Sequence, residues 1–257
     1  MTDRLNKAAI SEQVIIITGA SRGIGAACAR LIADRGYRVV VNYRQQADKA
    51  LQLVDQIIHR GGQAKAICAD VANEAEVETL FQQADQFGKL YGLVNNAGIL
   101  DRQARLDELD AARLQRLFQV NVVGSFLCAK QAVKRMSTRY GGEGGAIVNL
   151  SSVAARLGAP GEYIDYAATK GAIDTMTLGL SKEVAAEGIR VNAVRPGIIY
   201  TDIHADGGEP GRVDRLGPSL PMQRGGRPEE VAEAVLWLLS EQASYITGNF
   251  IDAAGGR

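Results

Sequence analysis

The sequence predicts a doubly wound α/β fold: one parallel sheet sandwiched between helices in a single domain. Three features of the chain predict it. Short β-branched runs alternate with longer helical stretches from end to end. The runs are continuously apolar, the pattern of strands buried on both faces rather than on one. No linker, repeat or low-complexity segment divides the chain. Strand–helix alternation builds right-handed crossovers and so a parallel sheet, and 257 residues suffice for one large core.

The elements follow in order. Residues 1–12 are polar and read as an N-terminal extension. "VIIIT" (14–18) is the first strand, and an alanine-rich helix runs from about Gly23 to Arg35. "YRVVVNY" is the second strand, followed by a helix through "ADKALQLVDQIIHR". "AKAICAD" is the third, followed by a helix from about Asn73 to Phe87. "LYGLVNN" (90–96) opens a loop before a long helix ending near Met136. "GAIVNLS" leads to a helix carrying Tyr166 and Lys170. "IRVNAVRPG" leads to an irregular polar stretch, about 200–226, rich in glycine and proline. Structureless segments of that length in a compact domain are usually functional, and this one is read as a substrate lid loop. A helix begins near Pro228, and "GNFIDAAGG" is the last strand.

Composition excludes several functions. The formal net charge is zero, so no overall field draws the chain to nucleic acid or to a membrane surface. The N-terminus lacks the apolar core of a signal peptide, and no apolar run approaches the roughly 20 residues of a spanning helix. The three cysteines, Cys28, Cys68 and Cys128, are far apart in apolar surroundings and read as small buried hydrophobes in a reducing cytoplasm. The two histidines, His59 and His204, are isolated, so no metal site is expected.

Two motifs carry chemistry. "TGASRGIG", Thr18 to Gly25, places Gly19, Gly23 and Gly25 between the first strand and its helix. Such a loop brings backbone amides to a phosphate, with the helix N-terminus adding favourable partial charge. Its G-x-x-x-G-x-G spacing is a variant of the dinucleotide loop. The second motif is Tyr166 followed four residues later by Lys170, on one side of a helix. A free phenol titrates near 10. A neighbouring ammonium favours phenolate, which makes the pair a plausible acid–base couple. Tyr163 lies two turns before the lysine, roughly 10 Å along the axis, and reads as a pocket wall or a packing residue.

The glycine loop, "NNAG" at 95–98, Tyr166-Ala-Ala-Thr-Lys170 and "RPG" at 195–197, in that order, resemble the short-chain dehydrogenase/reductase family in its roughly 250-residue form. The resemblance covers nearly the whole chain after the first dozen residues and implies a Rossmann-type fold. It implies cofactor contacts at Gly19, Ser21, Arg22, Gly23, Ile24 and Gly25, at Asn42, Tyr43 and Arg44 by the adenosine ribose, at Asp70 and Val71 beside the adenine, at Asn96, Ala97 and Gly98, and at Tyr166 and Lys170, the lysine holding the nicotinamide ribose. Asn95 is expected to be structural. Pro196, Gly197, Ile199 and Thr201 would meet the nicotinamide. The catalytic set would be Asn121, Ser152, Tyr166 and Lys170. Ser152 would donate to a carbonyl oxygen whose charge grows in the transition state, and strand alternation sends Ser151 the other way. The Ser152-to-Tyr166 interval is one residue longer than in many relatives, and the extra residue is placed in the "GAPGE" turn.

The second strand ends "VVVNYRQQ". An acid there would accept from a ribose 2′-hydroxyl, whereas an arginine favours a 2′-phosphate. Val41, Asn42, Tyr43 and Arg44 include no acid. Arg44 and Arg22 together offer two guanidiniums to a phosphate, so NADP(H) is expected over NAD(H). The expected activity is hydride transfer between nicotinamide and the carbonyl or secondary alcohol of a small molecule. Carrier-protein and sugar substrates compete. Glu143 and Glu187 stand where basic residues would greet an acidic carrier, although Arg102, Arg105 and Arg139 offset them. His204, Asp206, Arg212 and Asp214 make the lid polar. A catalytically silent NADP-binding regulator is the non-enzyme alternative. The resemblance further implies a homotetramer, or a dimer.

Overall fold

The computed structural model describes residues 12–257. The expected extension at 1–12 lies outside them except for Glu12. A seven-stranded sheet has the order β3-β2-β1-β4-β5-β6-β7, and every pairing is parallel. The strands are β1 (Gln13–Ile17), β2 (Arg38–Tyr43), β3 (Gln63–Cys68), β4 (Lys89–Asn95), β5 (Gly145–Leu150), β6 (Ile189–Pro196) and β7 (Phe250–Ala253). The chain winds outward from β1 to β3, then returns to the other side of β1 with β4. The order therefore reverses between β1 and β4, which opens a crevice at the carboxyl ends of those strands.

Ten α-helices cover the described chain: α1 (Gly23–Asp34), α2 (Ala47–His59), α3 (Glu74–Asp85), α4 (Ala111–Phe118), α5 (Gly124–Met136), α6 (Ala154–Leu157), α7 (Ile164–Val184), α8 (Ile203–Asp206), α9 (Arg212–Leu216) and α10 (Pro228–Leu239). Alternate residues of β1 serve opposite cores. Ile15 and Ile17 pack with Ala26, Ala29 and Ile32 of α1 and with Val231 and Val235 of α10. Val14 and Ile16 pack with Leu80 and Phe81 of α3, Cys128 of α5 and Ile173 of α7. A strand with helices on both faces has no polar face, which is why its sequence is an unbroken apolar run. Each such side chain contributes about 1.5–3 kcal/mol of burial.

Three expectations need correction. The stretch 200–226 is not structureless: it holds α8, α9 and a 3₁₀ turn at Gly217–Ser219. Its two ends are tied together, Tyr200 N donating to Gly226 O (2.9 Å) and Gly226 N to Ile198 O (2.9 Å). Helices of four and five residues are too short to leave a periodic trace in sequence. The long helix before Met136 is interrupted by a π turn at Gln119–Val123. Cys68 is exposed while Cys28 and Cys128 are buried, because β3 is an edge strand with a neighbour on one side only. Burial pushes the thiols of Cys28 and Cys128 up to about 12. Among the described residues no helix is long and apolar enough to cross a membrane.

Candidate active site

The glycine loop is fixed from below. Gly19 and Gly23 have φ of +60° and +55°, conformations that favour glycine. Asn96, just past β4, donates its side-chain amide to Thr18 O (2.8 Å) and Gly19 O (3.0 Å). The Thr18 hydroxyl accepts from the backbone N–H of Asn96 and of Ala97, both at 3.0 Å. From the other side, buried Asn42 accepts from Gly19 N (3.2 Å) and donates to Ala69 O (3.0 Å). The Asn42 amide is thus engaged by main chain and steadies the loop.

The loop borders a cavity of about 640 Å³ along the crevice. All the residues singled out for cofactor binding line it except Gly25, and among the catalytic set all except Asn121. Gly25 sits beneath the loop. A Cβ there would lie 2.6 Å from Asn96 Nδ2 and 2.8 Å from Gly19 O, so its role is close approach of α1 to the loop. Positive-φ glycines, a clamped loop and the N-terminus of a twelve-residue helix facing one crevice suit a dinucleotide's phosphates. The site fits such a cofactor.

The two arginines expected to stand free for a phosphate both have carboxylate partners. Arg22 is paired with Asp206 and lies 3.5 Å from Asp202. Arg44 lies 3.3 Å from Asp70, and Lys49 lies 3.7 Å from Asp202. Burial lowers the Arg22 pKa, but Asp206 and Asp202 outweigh it and the net shift is upward. Asp70 also accepts from Ala72 N (2.9 Å). The cap of α3 is Asn73, which accepts from Ala75 N and Glu76 N.

Toward the other end of the cavity, β5 and α7 bring three side chains together. Lys170, 5% exposed, donates from Nζ to Leu150 O (2.7 Å). That Nζ lies 5.5 Å from the centre of the Tyr166 ring. Burial drives the lysine down to about 8, against a small opposing pull from Asp174. Burial pushes the Tyr166 phenol up to about 12, while the Ser152 hydroxyl beside it pulls downward. At Tyr166 burial decides the net direction, which is upward. Desolvation acts on both groups in the direction of their neutral forms.

Asn121 sits in the π turn, buried behind the pocket wall. It accepts from Ile99 N (2.8 Å) and donates to Ile99 O (3.0 Å) and Thr169 Oγ1 (3.2 Å). A Cβ at Gly98 would lie 3.5 Å from Asn121 Oδ1 and 3.6 Å from Lys170 Nζ, so only a bare backbone separates the two. Asn95 takes the structural place expected of it, donating to Ser125 O (3.2 Å) and Asn149 Oδ1 (3.0 Å).

A supporting network escaped the sequence reading. Ser151 does turn away from Ser152: it donates to Asp174 Oδ1 (2.6 Å) and Lys170 O (3.2 Å). Asp174 in turn accepts from Arg195 at 2.8 Å. The spacing of Asp174, four residues after Lys170 on α7, was the available signal.

The far wall is built by the segment after β6. Tyr163 is buried. Its hydroxyl lies 3.5 Å from Gly207 O, and its ring lies 5.1 Å below the Arg212 guanidinium. Buried Arg212 bonds Glu162 (2.5 Å) and Glu209 (2.8 Å). His204 donates from Nε2 to Ile199 O (3.0 Å). Burial lowers its pKa. Asp214, in contrast, accepts from Tyr200 OH (2.9 Å) and does not line the cavity. The "GAPGE" turn winds tightly beside this wall, with positive φ at Gly158, Ala159 and Gly161.

Comparison with known proteins agrees with this arrangement. Residues 19–257 match the family described as enoyl-(acyl carrier protein) reductase. The chain is 58% identical over 245 residues to "uncharacterized oxidoreductase YgfF" of Escherichia coli K12, covering 95% of this chain and 99% of that one. It is 40% identical over 250 residues to a 3-oxoacyl-[acyl-carrier-protein] reductase of Synechocystis, covering 96% and 98%. A crystal structure of a short-chain dehydrogenase from Burkholderia cenocepacia in complex with NADP is similar at TM-score 0.88 and 32% identity. The match covers 96% of this chain and 98% of that one.

Proposed function

The chain belongs to the short-chain dehydrogenase/reductase family of oxidoreductases, and from that premise we propose that it is an NADP(H)-dependent reductase or dehydrogenase of a small hydroxylated carbonyl compound. The observation that carries the reading is the meeting of Ser152, Tyr166 and Lys170 on one wall of the cavity that the glycine loop borders. Bound nicotinamide would supply or accept the hydride. Gly19, Ser21, Gly23 and Ile24 would hold the phosphates, and Pro196, Gly197, Ile199 and Thr201 the nicotinamide end. Ser152 donates to the carbonyl oxygen, and Tyr166 gives it the proton. A phenol near 12 keeps its proton at neutral pH, as a donor for carbonyl reduction must. Lys170, whose Nζ donates to Leu150 O (2.7 Å), would hold the nicotinamide ribose beside Tyr166.

The cofactor preference rests on Arg22 and Arg44 and on the absence of an acid at Tyr43. The Burkholderia relative's complex with NADP supports it. The substrate class rests on the far wall. Arg212 is balanced by Glu162 and Glu209, so a neutral polar compound suits it better than an anion. The carrier-protein alternative has the Synechocystis relative's name in its favour. Against it, Glu143 and Glu187 stand where basic residues would greet an acidic carrier, and Arg105 and Arg116 are already paired with Asp107 and Asp101.

The test is oxidation of NADPH and NADH over a panel of hydroxyketones, sugars and acyl thioesters. The expected result is turnover with NADPH preferred in kcat/KM, and loss of turnover in Tyr166→Phe with NADPH binding kept. Binding without turnover over the whole panel would favour the silent regulator. A homotetramer completes the reading. Phe126 on α5, Leu178 on α7 and Trp237 on α10 are 51%, 43% and 41% exposed, apolar surface that subunit contacts would cover. Mass in solution tests it.

A further inference from the structure

The adenosine end of the cavity is electrically balanced by the lid. Its cations are Arg22, Arg44 and Lys49. Their partners are Asp70, Asp202 and Asp206, three charges against three. Two of those carboxylates, Asp202 and Asp206, belong to the segment that builds the far wall. Asp206 takes both terminal nitrogens of Arg22, which is the bidentate face a phosphate would use. A 2′-phosphate arriving at Arg22 therefore meets a guanidinium already occupied and a carboxylate of its own sign. A 2′-hydroxyl meets neither obstacle to the same degree, being uncharged.

We propose that Asp206 is a cofactor-specificity residue: by occupying Arg22 it holds NADP(H) affinity down relative to NAD(H), so that the chain's preference for the phosphorylated cofactor is set by a lid carboxylate as well as by its arginines. The proposal rests on the NADP(H) reading above. It also ties the two ends of the cavity together. Asp206 ends α8, the helix whose His204 bonds Ile199 O, and the next residue, Gly207, has its carbonyl beside Tyr163. Displacing Asp206 from Arg22 loosens the anchor of the far wall at its cofactor side. Asp202, 3.5 Å from Arg22 and 3.7 Å from Lys49, adds to the same field at longer range.

The size of the effect follows from the setting. Arg22 and Asp206 are about a third to a half exposed, with side-chain exposures of 34% and 46%, so the pair is screened and its strength is modest. Removing one unit charge beside a bound dianion should tighten NADPH by roughly five- to tenfold at low salt, and NADH by less than about twofold.

The experiment measures dissociation constants of NADPH and NADH by quenching of protein fluorescence in four proteins: the natural chain, Asp206→Asn, Arg22→Gln and the double variant. The expected result is an NADPH/NADH affinity ratio that rises in Asp206→Asn and does not rise when the same change is made on Arg22→Gln. Asp206→Ala, read in the same way, should reproduce the rise. If the natural chain binds NADH as tightly as NADPH, the cofactor reading itself falls and the proposal with it. If the natural chain prefers NADPH but Asp206→Asn leaves the ratio unchanged, the cofactor reading stands and the proposal alone is overturned. A rise of equal size on the Arg22→Gln background also overturns it, because the effect would then be general repulsion.

Discussion

Lys170→Met tests whether the lysine is held in the site at a cost to the fold. The side chain is 5% exposed, and its pKa falls from an ordinary 10.5 to about 8. For a base, a depressed folded-state pKa means that the folded chain binds fewer protons than the unfolded chain between pH 8 and 10.5. Stability from this group therefore rises with pH across that window, and the full penalty is present below pH 8. The gap is worth about 3 kcal/mol. Methionine carries no titrating proton, so the wild type should gain about 2–3 kcal/mol on the variant between pH 7 and 10. The lost bond to Leu150 O shifts the two curves apart by about 1 kcal/mol at every pH without changing their relative slope. Tyr166 works in the opposite sense. Its stabilisation is present below pH 10 and lost as pH rises toward 12, but it is common to both proteins and cancels in the difference. Urea unfolding followed by circular dichroism at several pH values, at one protein concentration, reads the difference directly. Parallel stability curves would show that the ammonium is solvated in the folded protein, and the burial reasoning would be wrong.

The two adjacent serines should separate cleanly. Ser152→Ala is expected to lose about 100-fold in kcat with at most about 1 kcal/mol of stability. Ser151→Ala, which strips a donor from half-buried Asp174, is expected to cost about 1–2 kcal/mol with the smaller loss of kcat. The reverse pattern would exchange their roles. Gly25→Ala drives a Cβ to 2.6 Å from the Asn96 amide and 2.8 Å from Ala20 Cα. It should cost about 1–3 kcal/mol and weaken NADPH at least about tenfold by moving the loop, although Gly25 does not touch the cavity. Unchanged thermal midpoint and unchanged Kd would contradict that. Glu209 is held down to about 2, chiefly by its bond to Arg215; burial pushes upward, and Arg212 adds to the downward pull. Its stabilisation is present above its ordinary 4.5 and is lost as pH falls toward 2, so Glu209→Gln should flatten the acid limb of the stability curve. An acid limb as steep as that of the natural chain would exclude it.

What could be read from sequence divides along a physical line. A strand buried on both faces is mostly apolar, so the inner strands left a local trace, whereas the edge strands β3 and β7 are only partly buried. Glycines at Gly19 and Gly23 are likewise forced by a backbone geometry that few other residues accept. Tyr166 and Lys170 were legible as a pair because helix geometry brings them within one turn, whereas Ser152 was identified only through the family resemblance. The remainder depends on partners brought together only by folding. Asp206 stands 184 residues from Arg22, and nothing near either residue announces the pairing. Arg212 over Tyr163 is of the same kind. Cys68 was misread because edge position belongs to the sheet order and not to the residues of β3. The upward push of burial on the Tyr166 phenol was not legible, because charge proximity is visible in spacing whereas desolvation is visible only in three dimensions.

The π turn at Gln119–Val123 amounts to one residue more than a regular helix would hold. Each helical residue advances the side-chain direction by about 100°, so the surplus rotates everything after it relative to everything before it. Upstream, α4 keeps Leu117 in the interior. Downstream, α5 keeps Cys128, Ala129 and Ala132 in the core. Neither phase alone would also aim Asn121 at Ile99. What this helix preserves is therefore a count. Substituting the exposed Val123 leaves the phase intact, while deleting a residue within α4 or α5 turns one half of the helix against its own packing. In a designed or drifting sequence, the length of this segment is a stricter inheritance than its letters.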